Sequence, residues 1–119
     1  MIGPIDHVYV WVTDLDAAVT FYGEVLGLEL VRREGQEWAE FEAGPIRLAL
    51  HGTEAPETGG SGGATAVFRV DDLDAARWQL VERGAVFDEH EGEVPGLARF
   101  ATFRDPDGNA LQLIEYLNV

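Results

Sequence analysis

Hydrophobic and polar residues alternate in several short runs along this chain, and such alternation predicts β-strands. The first run, residues 5–12, places His7, Tyr9 and Trp11 on one face and three valines on the other. After Asp14, apolar residues recur every three or four positions up to a glycine, which predicts a helix capped by that aspartate. Three more alternating runs predict strands and complete a β-α-β-β-β unit: 28–33, 37–42 and 46–51.

The same pattern occurs twice. The segment VTDLDAA at 12–18 recurs as VDDLDAA at 70–76, again with an alternating run before it and an amphipathic run after it. The remaining runs of the second copy predict strands at 65–70, 86–88, 98–104 and 110–116. The sequence therefore predicts an α+β fold of two βαβββ modules related by a pseudo-two-fold axis.

A stretch rich in Gly, Pro and Ser, residues 52–63, separates the two copies and is typical of a linker. We therefore expect one domain over residues 1–119, with a first module at about 1–51 and a second at about 64–119.

The charge of the chain limits its partners. The net charge is −14, from 22 acidic and 8 basic side chains, which argues against nucleic acids and anionic membranes. Neutral or cationic small molecules are easier ligands for such a protein. The absence of cysteine excludes disulfides, thiolate metal sites and a cysteine nucleophile. Because no apolar run reaches membrane-spanning length and no signal peptide is evident, we expect a cytoplasmic protein.

Three segments carry a family resemblance: the first strand with His7, the run DLDAAVTFYGEVLGLEL, and the closing run FRDPDGNALQLIE. Together they resemble the glyoxalase/bleomycin-resistance/extradiol-dioxygenase group, the vicinal oxygen chelate superfamily, over essentially the whole chain. The resemblance implies paired βαβββ modules whose mixed sheets curl into a cup around a ligand, with the helices outside. It also implies a homodimer and, in many members, a divalent metal. It does not choose among lyases, isomerases, dioxygenases and non-catalytic drug-binding proteins.

The resemblance places metal ligands on the first and last strands of each module, and those positions hold His7, Arg47, Thr65 and Gln112. A catalytic divalent site needs about three imidazole or carboxylate ligands, and a guanidinium repels a cation. We therefore expect neither a metal ion nor another cofactor.

A relocated metal site is an alternative that the sequence leaves open. Its donors would be His7, His51 and one carboxylate, either Glu40 or Glu42. His90 stands in what reads as an acidic loop and is interpreted as a solvated side chain.

Strand parity predicts which side chains face the cup. His7, Arg47 and Gln112 are placed at its centre, with Arg47 and Gln112 in matched positions, and are the candidate catalytic residues. Because no carboxylate is assigned to Arg47, we expect an anion, a ligand or ordered water beside it. The candidate ligand-binding residues are Tyr9, Trp11, His51, Thr65 and Tyr116.

Three functions are compatible with this cup. Its aromatic walls and the acidic charge favour a protein that binds a small molecule without a catalytic metal. The alternative is an enzyme in which His7 acts as base or metal anchor, Arg47 stabilises an anionic oxygen and Gln112 orients the substrate. The third is an accessory domain without a ligand. The identity of the ligand does not follow from these residues.

Overall fold

The computed structural model describes residues 4–54 and 64–117. They form two compact units, one on each side of the predicted linker. Gly52, the first residue of that linker, belongs to a strand, and residues 55–63 lie outside the described residues. The boundaries of domain and modules stay a prediction.

The first unit is a four-stranded mixed sheet with one helix. Its strand order is β1-β4-β3-β2, with β1 parallel to β4 and the other pairs antiparallel. The elements are β1 (His7–Val12), α1 (Leu15–Thr20), a π-helical turn (Phe21–Val25), β2 (Leu30–Glu34), β3 (Trp38–Ala43) and β4 (Ile46–Gly52).

The second unit repeats this topology. Its strand order is β5-β8-β7-β6, with β5 parallel to β8. The elements are β5 (Ala66–Arg69), α2 (Leu73–Glu82), β6 (Phe87–Val94), β7 (Ala98–Arg104) and β8 (Ala110–Tyr116). The predicted α+β fold of two βαβββ modules is confirmed, with two open sheets rather than a closed one.

The repeated motif is the end of a strand followed by a helix cap. Asp14 Oδ1 accepts a hydrogen bond from the backbone N–H of Ala17 at 3.0 Å. Asp72 Oδ1 accepts the same bond from Ala75, also at 3.0 Å. In both copies the aspartate satisfies one of the backbone donors that a helix start leaves unpaired, which explains why both helices begin where predicted.

The valine face of β1 is covered only at one end. Val12 is fully buried, whereas Val8 is 36% exposed. The reason is that α1 lies mainly over β4 and β3. It then passes into the π-helical turn, where the Leu26 N–H donates to the Phe21 carbonyl at 3.0 Å.

The strand predicted at 86–88 extends to Val94, so the interpretation of His90 as a loop residue is wrong. As an edge strand of its sheet, β6 is exposed over most of its length. Polar residues therefore replace the alternating apolar pattern that would have marked it.

The DPDGN turn between β7 and β8 is closed by a buried carboxylate. Asp105 Oδ1 accepts from the backbone N–H groups of Asp107 at 3.0 Å and Asn109 at 2.8 Å, while Oδ2 accepts from the Asn109 amide at 2.8 Å. Both Asp105 and Asn109 are buried, so these bonds replace solvent contacts that folding removes.

Candidate functional site

One face of the first sheet carries five rings from three adjacent strands. In the strand register, His7 pairs with Arg47, and both Trp11 and Trp38 pair with His51. Alternation along β1 places Tyr9 on the same face. We call this group the aromatic cluster: His7, Tyr9, Trp11, Trp38 and His51.

The rings of the aromatic cluster contact one another in tilted and edge-to-face geometries. Their centroids are 4.3 Å apart for Trp11 and His51 and 5.5 Å apart for His7 and Trp38. Tyr9 is central, at 5.6 Å from Trp11, 5.6 Å from His51 and 5.7 Å from Trp38. Such offsets are favourable between aromatic rings. Because Tyr9 remains 46% exposed, the cluster presents ring surface to solvent rather than closing into a second core.

A carboxylate, Glu40, connects the aromatic cluster to two arginines. It accepts hydrogen bonds from Trp38 Nε1 at 2.7 Å and Arg47 Nη1 at 3.2 Å, and Arg32 Nη2 lies 3.4 Å away. The side chain of Glu40 is only 16% exposed. The hydrogen bond from Trp38, with the two arginines, holds the pKa of the Glu40 carboxyl below its ordinary value, although burial acts to raise it. Glu40 is therefore ionised at neutral pH.

Arg47 has a partner within the protein, so the premise that no carboxylate lies beside it is wrong, while the anion or ligand expected there stays a prediction. Glu40 and Arg47 form an ion pair in which the arginine side chain stays 40% exposed. The missed signal was the parity of the 37–42 run, which puts Trp38 and Glu40 on the same face. Trp38 was not assigned to the binding surface from sequence, and Glu40 was considered only as a donor of the alternative metal site.

His7, at the edge of the cluster, has a carboxylate neighbour. Its Nδ1 lies 2.8 Å from Asp6 Oδ2, and the Asp6 side chain is 93% exposed. A pair this exposed contributes little stability but can orient the ring.

In the second unit, Gln112 faces a hydroxyl rather than a metal. Its Nε2 donates to Thr102 Oγ1 at 3.1 Å and lies 3.5 Å from His90 Nδ1. Tyr116 is exposed and lies under the Arg69 guanidinium at 5.0 Å, a cation–π contact. Thr65 is exposed and precedes β5.

Strand register corrects the predicted equivalence of Arg47 and Gln112. Arg47 pairs with His7, but Gln112 pairs with Val67, two residues beyond Thr65, the repeat mate of His7. Similarity between the two closing strands did not reveal how each one aligns with its opening strand. That Gln112 joins His7 and Arg47 in one site stays a prediction.

A separate open cleft of about 590 Å³ lies at one end of the first unit. It is bordered by the start of α1, the β2–β3 turn and the end of β4, and several of its lining residues are acidic. This cleft is lined by none of the eight site residues that the sequence predicts. Its volume alone therefore does not make the cleft the candidate site.

The relocated metal site, with His7, His51 and Glu40 or Glu42 as donors, is not assembled in the described part of the chain. Among residues 4–54 and 64–117, no three His, Asp or Glu side chains are grouped so that they could hold a metal ion. His7 lies beside the cationic Arg47 in the strand register, and Glu40 is already bound by Trp38 and two arginines. This donor chemistry does not fit a divalent cation. The cofactor state of the protein stays a prediction.

Neither helix in the described part of the chain is long and apolar enough to cross a membrane.

Comparison with known proteins agrees with the fold. Residues 4–113 match the model of the Glyoxalase/Bleomycin resistance protein/Dioxygenase superfamily. The chain belongs to this superfamily. A Vibrio cholerae protein described as "Probable lactoylglutathione lyase" is 30% identical to it, over 92% of this chain and 88% of that protein.

Two solved structures of superfamily type resemble this chain over nearly its whole length. A lactoylglutathione lyase from Agrobacterium tumefaciens has a TM-score of 0.77 at 26% identity, covering 96% of this chain and 94% of its own. TnmS3, an antibiotic binding protein from Streptomyces sp. CB03234, has a TM-score of 0.77 at 28% identity and covers 98% of both chains. This chain is thus similar both to a lyase and to an antibiotic binding protein.

Proposed function

We propose that this protein binds a small aromatic molecule on the aromatic cluster and does so without a catalytic metal. The observation that carries the proposal is the ring surface of the aromatic cluster, in which Tyr9 is 46% exposed and Trp11, Trp38 and His51 are half-buried. The rings contact one another within one sheet. The Glu40–Arg47 pair beside the rings supplies fixed polar groups. Ring faces with a few oriented polar groups are typical of small-molecule sites.

The charge of the protein favours a neutral or cationic ligand. With a net charge of −14, the surface attracts cations, and tyrosine and tryptophan rings add cation–π and stacking contacts. A carboxylate ligand would have to overcome that repulsion through Arg47 and Arg32, and Glu40 already offsets part of the charge of these arginines. The antibiotic-binding relative supports a binding role for the same fold.

Tryptophan fluorescence tests this proposal. Titration with aromatic amines, for example 2-phenylethylamine, should quench emission saturably in the wild type. Trp11→Phe and Trp38→Phe should each remove part of that response. The matched control is Trp78→Phe, because Trp78 lies on α2 and is 66% exposed. Quenching that disappears only in the Trp78 variant would place the ligand elsewhere.

A lyase is the second candidate, supported by the lyase relatives and by the contact between Asp6 and His7. In this reading His7 is the base, Asp6 orients its ring, Arg47 stabilises an anionic oxygen and Gln112 orients the substrate. The assay is turnover of lactoylglutathione, the compound in the name of the relatives. Turnover that His7→Ala abolishes would replace the binding proposal, whereas saturable quenching without turnover supports it.

Elemental analysis of protein purified without a tag tests the absence of a metal. We expect no stoichiometric zinc, nickel, iron or manganese. About one ion per chain that is lost in His7→Ala would overturn the metal-free proposal and favour a metal-dependent enzyme.

We also propose that residues 1–119 form one domain, that the protein is a cytoplasmic homodimer, and that Thr65 and Tyr116 belong to its ligand site. Light scattering after size exclusion should give about twice the chain mass of 13.0 kDa. A monomer that binds no compound in the fluorescence screen would favour an accessory domain without a ligand.

A further inference from the structure

We infer that the second unit contains a carbonyl-recognition site in which Thr102 and Gln112 hold His90 as a hydrogen-bond donor. The inference involves residues of the second unit only, so it does not rest on the aromatic cluster. It assigns a role to His90, a residue of β6 that the sequence pattern did not predict to lie in a strand.

A β-bulge directs His90 toward Thr102. Phe87 pairs with Phe103 and Glu91 pairs with Ala101, so three residues of β6 face a single residue of β7. The His90 backbone N–H donates to Asp88 Oδ1 at 2.8 Å within this bulge. Bulges reorient side chains and are frequent beside functional sites. Here the bulge brings His90 Nδ1 to 3.1 Å from Thr102 Oγ1.

The hydrogen bonds determine which ring nitrogen carries the proton. The Gln112 amide N–H donates to Thr102 Oγ1, so the hydroxyl hydrogen of Thr102 is available to donate to His90 Nδ1. If His90 Nδ1 instead donated to Thr102 Oγ1, the oxygen would accept two hydrogen bonds, from His90 and from Gln112. The hydroxyl hydrogen of Thr102, a residue only 1% exposed, could then not use His90 Nδ1 as its acceptor. A neutral ring whose Nδ1 accepts carries its hydrogen on Nε2. His90 therefore offers an Nε2–H donor.

The surroundings of His90 define the class of ligand. Its ring lies 5.2 Å from that of Phe100, and register places the apolar side chains of Ile114 and Val67 on the same face as Gln112. Val67 is 49% exposed. A donor beside apolar surface suits a carbonyl oxygen attached to an aromatic ring. Because the chain carries a net charge of −14, we expect neutral amides or ketones rather than carboxylates.

Nitrogen-15 NMR of the histidine rings tests the tautomer. At about pH 9, where imidazoles are neutral, the wild type should show His90 with its hydrogen on Nε2. Thr102→Val removes the hydroxyl at nearly constant volume and should give a mixture of tautomers, whereas Thr102→Ser should retain the Nε2–H form. An Nδ1–H form in the wild type would overturn the inference, since it would mean that the Gln112 amide presents its oxygen to Thr102. Equal spectra for the valine variant and the wild type would overturn it too.

A ligand titration tests the recognition site itself. Benzamide should shift the methyl signals of Thr102 and Ile114, and benzoate should bind more weakly because of its charge. His90→Phe keeps an aromatic ring but removes the donor, and should weaken benzamide binding about tenfold, as expected for one hydrogen bond. Unchanged affinity in this variant would overturn the carbonyl site, and the result is independent of tryptophan quenching on the first unit.

Discussion

Replacing Glu40 by glutamine should destabilise the first unit and loosen the aromatic cluster. The change preserves shape but removes the charge that pairs with Arg47 and Arg32, whose side chains are 40% and 53% exposed. Partly exposed pairs contribute roughly 0.2–1 kcal/mol each. The hydrogen bond that Trp38 donates to residue 40 would also pass from a charged to a neutral acceptor. A hydrogen bond to a charged group contributes about 1.5–3 kcal/mol to stability, and a neutral acceptor roughly halves that contribution. We therefore expect Glu40→Gln to lower the free energy of unfolding by about 2 kcal/mol.

The pH dependence of this loss is a sharper test than its size. The pKa of Glu40 is lowered from its ordinary value of 4.5 in the folded protein, so the folded state holds the charged form more strongly than the unfolded chain does. Its contribution is fully present above about pH 4.5 and is lost as the pH falls through the folded pKa. The difference between wild type and Glu40→Gln should be constant near neutrality and should narrow progressively below pH 4.5.

Urea is the suitable denaturant because guanidinium salts would screen the ion pairs being measured. Trp38 emission can follow the same transition. The matched control is Glu42→Gln, which removes one charge from the same face and strand at an exposed position and should change stability by less than about 0.5 kcal/mol. If both variants lose the same free energy at every pH, Glu40 has no special connection to the cluster and the reasoning is refuted.

Two backbone features give further predictions. Gly52→Ala should lower the free energy of unfolding by about 2–4 kcal/mol, because the added Cβ would lie 2.1 Å from the carbonyl oxygen of Gln36. The measurement is thermal denaturation, and the control is Gly23→Ala, whose added Cβ would have its nearest contact at 3.6 Å. Asp105→Ala should lower the free energy of unfolding in urea by at least about 2 kcal/mol, because it removes a buried carboxylate that accepts three hydrogen bonds, including one from the Asn109 amide. Asp107→Ala, at a less buried position of the same turn, should cost less, and equal losses would contradict this account.

The repeat and its helix caps were sufficient to predict the topology. Asp14 and Asp72 bond the first turns of α1 and α2, so a short sequence motif specifies both strand-to-helix junctions. Parity along β1 also predicted that His7, Tyr9 and Trp11 share a face, because alternation depends on the backbone alone. These features are local, and local patterns are visible in one sequence.

The remaining features depend on contacts between strands. The partner of Arg47 comes from β3, and the position of Gln112 depends on how β8 aligns with β5. The role of His90 depends on a bulge in a polar edge strand. Parity of the 37–42 run indicates only that Trp38 and Glu40 share a face. Which residue each side chain meets on the next strand depends on register, and register is selected by packing of the whole sheet.

Two of the four edge strands, β2 and β6, are poorly suited to pairing with another chain. β2 and β6 each end a sheet, and both pairings contain a register shift. Both strands also carry closely spaced charges, including Arg32 and Arg33 on one and Glu91 and Glu93 on the other. A kinked, charged edge is a poor template for intermolecular strand addition and thus for amyloid growth. The bulge that orients His90 should therefore also make this edge of the second sheet a poor partner for another chain, and straightening β6 in an engineered variant should remove both properties at once.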